Sequence, residues 1–82
     1  MQATNPNKEY TLDLHGVRHS DASREVDKFM YNNISSSVST LYVITGHSTI
    51  MQEIVIETIK DYNVDYTIGD FTNHGYISIK LN

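Results

Sequence analysis

Apolar side chains recur along this chain with two different periods, and the switches between them mark out the elements. Tyr10, Leu12 and Leu14 alternate with Thr11 and Asp13, the period of a strand with one buried face. His15-Gly16 breaks the alternation, glycine being free to take the backbone angles of a sharp exit. Ser20 or Asp21 can then cap a helix, since either side chain accepts from the free amides of a first turn. Ala22, Val26, Phe29 and Met30 follow at helical spacing, with Ile34 just beyond. They predict an amphipathic helix over 21–33 that ends in the helix-weak Asn32-Asn33. After the polar connection Ser35 to Ser39, Leu41-Tyr42-Val43-Ile44 is a nearly unbroken apolar run, the composition of a strand covered on both faces. The turn Thr45-Gly46-His47-Ser48-Thr49 leads into a second helix over 49–62, with Met51, Ile54, Val55, Thr58, Ile59 and Tyr62 on one face and Asn63 as a left-handed stop. A strand over 64–69 carries Val64, Tyr66 and Ile68. Gly69 to Gly75 reads as a hairpin connection, and a last strand runs from Tyr76 to Leu81. Residues 1–8 are polar, hold the only proline and show no period, so they read as a flexible leader to a single domain over 9–82.

The order is β-α-β-α-β-β. Right-handed crossovers make the first three strands parallel and put both helices on one face, with the last hairpin adding an antiparallel member. The expected fold is thus an α/β two-layer sandwich with a four-stranded mixed sheet and two helices. Ligands of open sheets sit beyond the carboxyl ends of the parallel strands. The segments leaving the first two strands, Asp13-Leu14-His15-Gly16 and Thr45-Gly46-His47-Ser48, are expected on that one rim. The topology does not require the Asn73-His74-Gly75 connection to lie there, and it reads as a turn with Gly75 at positive φ.

Composition narrows the chemistry. At 82 residues the chain can bury one modest core, which rules out a multidomain enzyme. The absence of cysteine excludes a disulfide scaffold and a zinc–thiolate site. No apolar run approaches the roughly 20 residues of a membrane span, so no membrane partner is expected. The polar start lacks a signal-peptide core, which points to an intracellular, cytoplasmic protein. With 6 basic and 10 acidic side chains the formal charge is −4, which argues against a sequence-blind electrostatic grip on nucleic acid.

Asp13 and His15 project from the same side of the first strand. Asp13 can orient an imidazole that shuttles a proton, or it can simply cap nearby backbone. Thr45-Gly46-His47-Ser48 sits at a strand-to-helix junction, where helix N-terminal amides can bind an oxyanion; as a plain turn it needs no ligand. Arg18, His19, Arg24 and Lys28 form a small basic group interleaved with Asp21, Glu25 and Asp27, while Glu53 and Glu57 make a like-charge pair on the second helix. Asp13, His15, His47 and His74 are ligand-type residues, but no metal-binding spacing joins them. There is no P-loop and no nucleophile elbow around Ser48.

Taken in order, Leu12-Asp13-Leu14-His15-Gly16, the strand ending in Thr45-Gly46, and Asn73-His74-Gly75-Tyr76-Ile77-Ser78-Ile79 resemble the Smr (small MutS-related) domain. That family carries an L-D-x-H-G segment, a T-G-x-G or H-G-x-G turn, and a glycine before the final strand. The resemblance covers residues 9–82. It implies a sandwich similar to the C-terminal domain of translation initiation factor three, nucleic-acid binding and, in several members, endonuclease activity on DNA or RNA. Carried over, it points to Asp13 and His15 for cleavage and to Gly16, Thr45 and Gly46 for substrate contact, while Arg18, His47 and Ser48 are phosphate-contact candidates on their own chemistry and place in the chain. Ser48 stands where the family's second glycine is, and serine reaches glycine's backbone angles less cheaply. The start of the second helix, Ile50-Met51-Gln52-Glu53, lacks the family's usual base.

These readings combine into a stand-alone nucleic-acid-binding domain with endonuclease activity. His15 acts as general acid or base held by Asp13, and amides of Gly46 to Ser48 neutralise a phosphate. RNA brings its own 2′-hydroxyl nucleophile, whereas cleavage of DNA would be helped by a divalent cation. The alternative is a catalytically inactive module of the same fold that binds a protein partner.

Overall fold

A computed structural model describes residues 10–35 and 37–81. The expected leader over residues 1–8 lies outside the described residues. The elements are β1 (Thr11–Asp13), α1 (His19–Asn33), β2 (Thr40–Ile44), α2 (Thr49–Ile59), a short 3-10 turn (Lys60–Tyr62), β3 (Asp65–Ile68) and β4 (Tyr76–Lys80). They build the expected four-stranded mixed sheet, in the order β1-β2-β4-β3. β1 runs parallel to β2, and β4 runs antiparallel to both β2 and β3. The strand that comes last in the chain is therefore inserted between the second and the third.

Both helices cover one face of this sheet. Ala22, Val26 and Met30 of α1 and Met51, Val55 and Ile59 of α2 meet Leu14, Leu41, Val43, Ile77 and Ile79 in a single core. Removing this apolar surface from water is the main driving force for the fold. The helical spacing read from the sequence is the spacing that fills this core. Asn63 takes the left-handed stop, with φ 57° and ψ 50°. No helix among the described residues is long and apolar enough to cross a membrane.

Four expectations need correction. First, β2 is covered on one face only: Leu41 and Val43 are buried, Tyr42 is half-buried and Ile44 remains 38% exposed. The run looked doubly covered because the open face of the sheet is itself partly apolar. Tyr42 there meets Tyr76 of β4 edge to face, with ring centroids 6.3 Å apart. Second, α1 starts at His19, and its N-cap is Arg18, whose carbonyl accepts the Asp21 amide at 2.9 Å. A tight turn after β1 delivers the chain into the helix early, so Ser20 and Asp21 fall inside its first turn. Asp21 there pairs with Arg24 at 3.3 Å. Third, Gly75 does not have positive φ; Gly69, at φ 59°, is the left-handed residue of the hairpin connection. Fourth, that connection does reach the rim, as shown next.

Candidate functional site

Strand register places three connections on one edge. Asp13 is level with Ile44, and Ile44 is level with Tyr76. The chain therefore leaves β1 and β2, and enters β4, side by side. The amide of Leu14 donates to the Ile44 carbonyl at 3.0 Å and extends this pairing to the lip of the sheet. Because β4 is antiparallel to β2, its start has to lie where β2 ends.

The first connection is a tight turn in which the Val17 amide donates to the Leu14 carbonyl at 2.9 Å, with Gly16 at φ 82°. A positive φ at that position of a turn is the reason for glycine. Leu14 anchors the turn in the core at 2% exposure, while His15, Gly16 and Arg18 face solvent. The Asp13 carboxylate accepts the backbone N–H of His15 at 2.8 Å. Asp13 thus fixes the main chain that carries His15, not the ring, and the imidazole makes no hydrogen bond among the described residues.

In the second connection, the amides of Thr45 and Gly46 both donate to the Gly75 carbonyl, at 3.0 and 2.9 Å. The Gly46 amide is therefore already committed and is not available to a phosphate. Gly46 sits at φ 68°, and space is open where its side chain would be. Ser48 has φ −76°, extended backbone that any residue adopts, so serine here carries no strain. Its hydroxyl oxygen caps α2 by accepting the Met51 amide at 3.1 Å. His47 is exposed, and the amides of His47, Ser48, Thr49 and Ile50 meet no protein acceptor among the described residues. These are the unpaired donors at the positive end of a helix.

The third connection contributes most of what the sequence did not disclose. Gly75 is buried, and a Cβ on it would stand 3.6 Å from Cα of Gly46 and 3.1 Å from Oδ1 of Asn73. Close approach, not backbone angle, explains that glycine. Gln52 ties the junction together, its side-chain amide donating to the His74 carbonyl at 2.8 Å and to the Gly46 carbonyl at 3.3 Å. Asp70 organises the loop itself. Oδ1 accepts the amides of Thr72 and Asn73, both at 2.8 Å, and the Thr72 hydroxyl at 3.0 Å, while Oδ2 accepts the Tyr76 hydroxyl at 2.9 Å. The Thr72 amide first, then Tyr76 and Asn73, hold this carboxyl down at about 2. The same bond pushes the Tyr76 hydroxyl above its usual value. The D-x-T-N pattern of an Asx turn was the available signal for this loop.

The charged surroundings are mixed. Arg18, His19, Arg24 and Lys28 are exposed, with Arg24 engaged by Asp21, and Lys60 is engaged by Glu57 at 3.4 Å. Among the described residues no three histidine, aspartate or glutamate side chains gather closely enough to hold a metal ion. Asp13, His15, His47 and His74 are thus not brought into one ligand set.

Comparison with known proteins bears on this arrangement. The Smr domain family matches over residues 12–73. Among solved structures the fold is similar to YdaL, a stand-alone small MutS-related protein from Escherichia coli, with a TM-score of 0.80 at 14% identity. That likeness covers 92% of this chain, which spans 66% of the YdaL chain. It is also similar to the Smr domain of Thermus thermophilus MutS2, with a TM-score of 0.76 at 22% identity, over 88% of this chain and 96% of that one. At such identities the likeness concerns the fold. Comparison with curated proteins gives no match. The family match takes in both the Leu12-Asp13-Leu14-His15-Gly16 segment and the Thr45-Gly46 turn, and this chain belongs to the Smr domain family.

Proposed function

We propose that this Smr domain binds nucleic acid across the rim and cleaves its phosphodiester backbone, with RNA the favoured substrate. The observation that carries the reading is the register of Asp13 with Ile44, which sets the His15 turn beside the start of α2. One connection offers a proton-transfer group, and the other offers unpaired backbone donors. Imidazoles titrate near neutral pH and suit general acid–base work. Asp13 positions His15 through its amide, and the amides from His47 to Ile50 neutralise charge on the phosphate.

On RNA, His15 takes the proton of the 2′-hydroxyl as that oxygen attacks phosphorus. The bond from phosphorus to the 5′-oxygen breaks, and His47 protonates the leaving oxygen. The products are a 2′,3′-cyclic phosphate and a 5′-hydroxyl. DNA has no such internal nucleophile, and a divalent cation is the group that would activate water there. An intracellular, cytoplasmic site of action accompanies this reading.

The test is a cleavage assay on RNA and DNA, with and without chelator. Folded Asp13→Ala and His15→Ala variants are expected to lose the signal. Unchanged cleavage by both would overturn the assignment. A second reading, an inactive module that binds a protein partner, is favoured by the charge of −4 and by Glu53 and Glu57, exposed on α2. It requires that retention on RNA or DNA show no dependence on salt, because counterion release accompanies every phosphate contact.

A further inference from the structure

The bend between Asp70 and Asn73 displays a side chain that contributes nothing to the core. Phe71 is 100% exposed, more than any other large apolar residue among the described ones. The backbone on either side of it is held fast. Besides the bonds to the Asp70 carboxylate, the Asp70 amide donates to the Asn73 carbonyl at 2.8 Å, and the Gly69 amide donates to the Tyr76 carbonyl at 2.6 Å. A side chain on Gly69 would collide with the Asn73 carbonyl and with Cα of His74. The bend is in turn fastened to the rim through His74 and Gly75. Phe71 lies no more than about 14 Å of extended chain from Gly75, a span of a few nucleotides.

We propose that Phe71 is a base-stacking residue and that the ligand of this rim is single-stranded or locally unpaired nucleic acid. The proposal rests on the rim binding nucleic acid as set out above. Phenylalanine has no donor or acceptor, so it reads the face of a base and not its edge. Every base has such a face, but within a duplex both sides are already occupied by neighbouring bases, and only unstacked nucleotides expose one. Charge makes the contact important. At −4 the chain gains little from phosphate neutralisation, and stacking adds affinity that salt does not screen. The backbone that carries the ring is already held by its own loop and gives up little conformational freedom on binding.

The chain has no tryptophan, so Phe71→Trp places a single indole at the contact. The probes are a short single-stranded RNA and the duplex of the same sequence. Wild type is expected to prefer the single strand. Phe71→Ala should weaken single-strand binding about tenfold, or about 1.4 kcal/mol, with the salt slope and the thermal midpoint unchanged. Phe71→Trp should retain affinity, and its fluorescence should be quenched as the RNA binds. If Phe71→Ala binds RNA like wild type, or the indole stays unquenched in the complex, the stacking role is overturned while the rim reading stands. The exposed ring would then belong to a protein contact. Equal losses on single strand and duplex would overturn the ligand class. Absence of binding to either RNA by wild type would overturn the rim reading itself.

Discussion

The carbonyl oxygen of Gly75 accepts the amide of Gly46 at 2.9 Å, joining the loop before β4 to the turn that opens α2. Each glycine has its own reason to lack a side chain. Gly46 is set by a φ of 68°, and Gly75 by the 3.1 Å that would separate its Cβ from Oδ1 of Asn73.

Two glycine substitutions in one loop should therefore differ. Gly69→Ala sets a Cβ against backbone at a φ of 59°, and its expected cost is about 1–3 kcal/mol. Gly75→Ala meets the Asn73 side chain at 3.1 Å, which can give way. Thermal unfolding should show the larger drop for Gly69→Ala, since about 1 kcal/mol moves the midpoint by roughly 4–8 °C in a domain of this size.

The Asp70 carboxyl is held down at about 2, below its usual 3.8. A depressed carboxyl stabilises the fold above its unfolded value, and that contribution is lost as pH falls through the folded one. Stability should thus decline between about pH 4 and pH 2, as protonation removes the acceptor that Thr72, Asn73 and Tyr76 share. Asp70→Asn should lower the midpoint at neutral pH and flatten the decline across that window, read by thermal melts at a series of pH values.

Asp13 offers a separation of scaffold from charge. Asp13→Ala removes the acceptor of the His15 amide, and its expected cost is about 1 kcal/mol. Asp13→Asn keeps an oxygen there and should hold the turn. Activity retained by Asp13→Asn and lost by Asp13→Ala assigns the residue to positioning; loss in both assigns a role to its charge.

Ser48 caps α2 through its hydroxyl oxygen. Ser48→Ala should cost about 1 kcal/mol and Ser48→Gly only a few tenths. A denaturant titration that finds the two variants equally weakened would contradict the capping role.

Local patterns carried most of the architecture. The alternation from Tyr10 to Leu14, the two helical stripes and the left-handed Asn63 depend on neighbours in sequence, and each was legible for that reason. The rim was half legible, because a parallel β1–β2 pair forces the Asp13 and Thr45 ends together wherever the other strands lie. The link from Gly75 to Gly46 was not, since it depends on β4 pairing with β2 and not only with its hairpin partner. The open face of β2 was misread because Tyr42 and Ile44 are apolar without being covered. The target of Asp13 was among the open choices, a carboxylate two residues from a histidine having both the ring and the amide within reach.

Placing β4 between β2 and β3 makes the site depend on the strand from Tyr76 to Lys80. Without Tyr76 to Lys80, β3 has no partner in the sheet, and nothing draws the Gly69–Gly75 loop toward Gly46. The rim is whole only where β4 lies between its two neighbours.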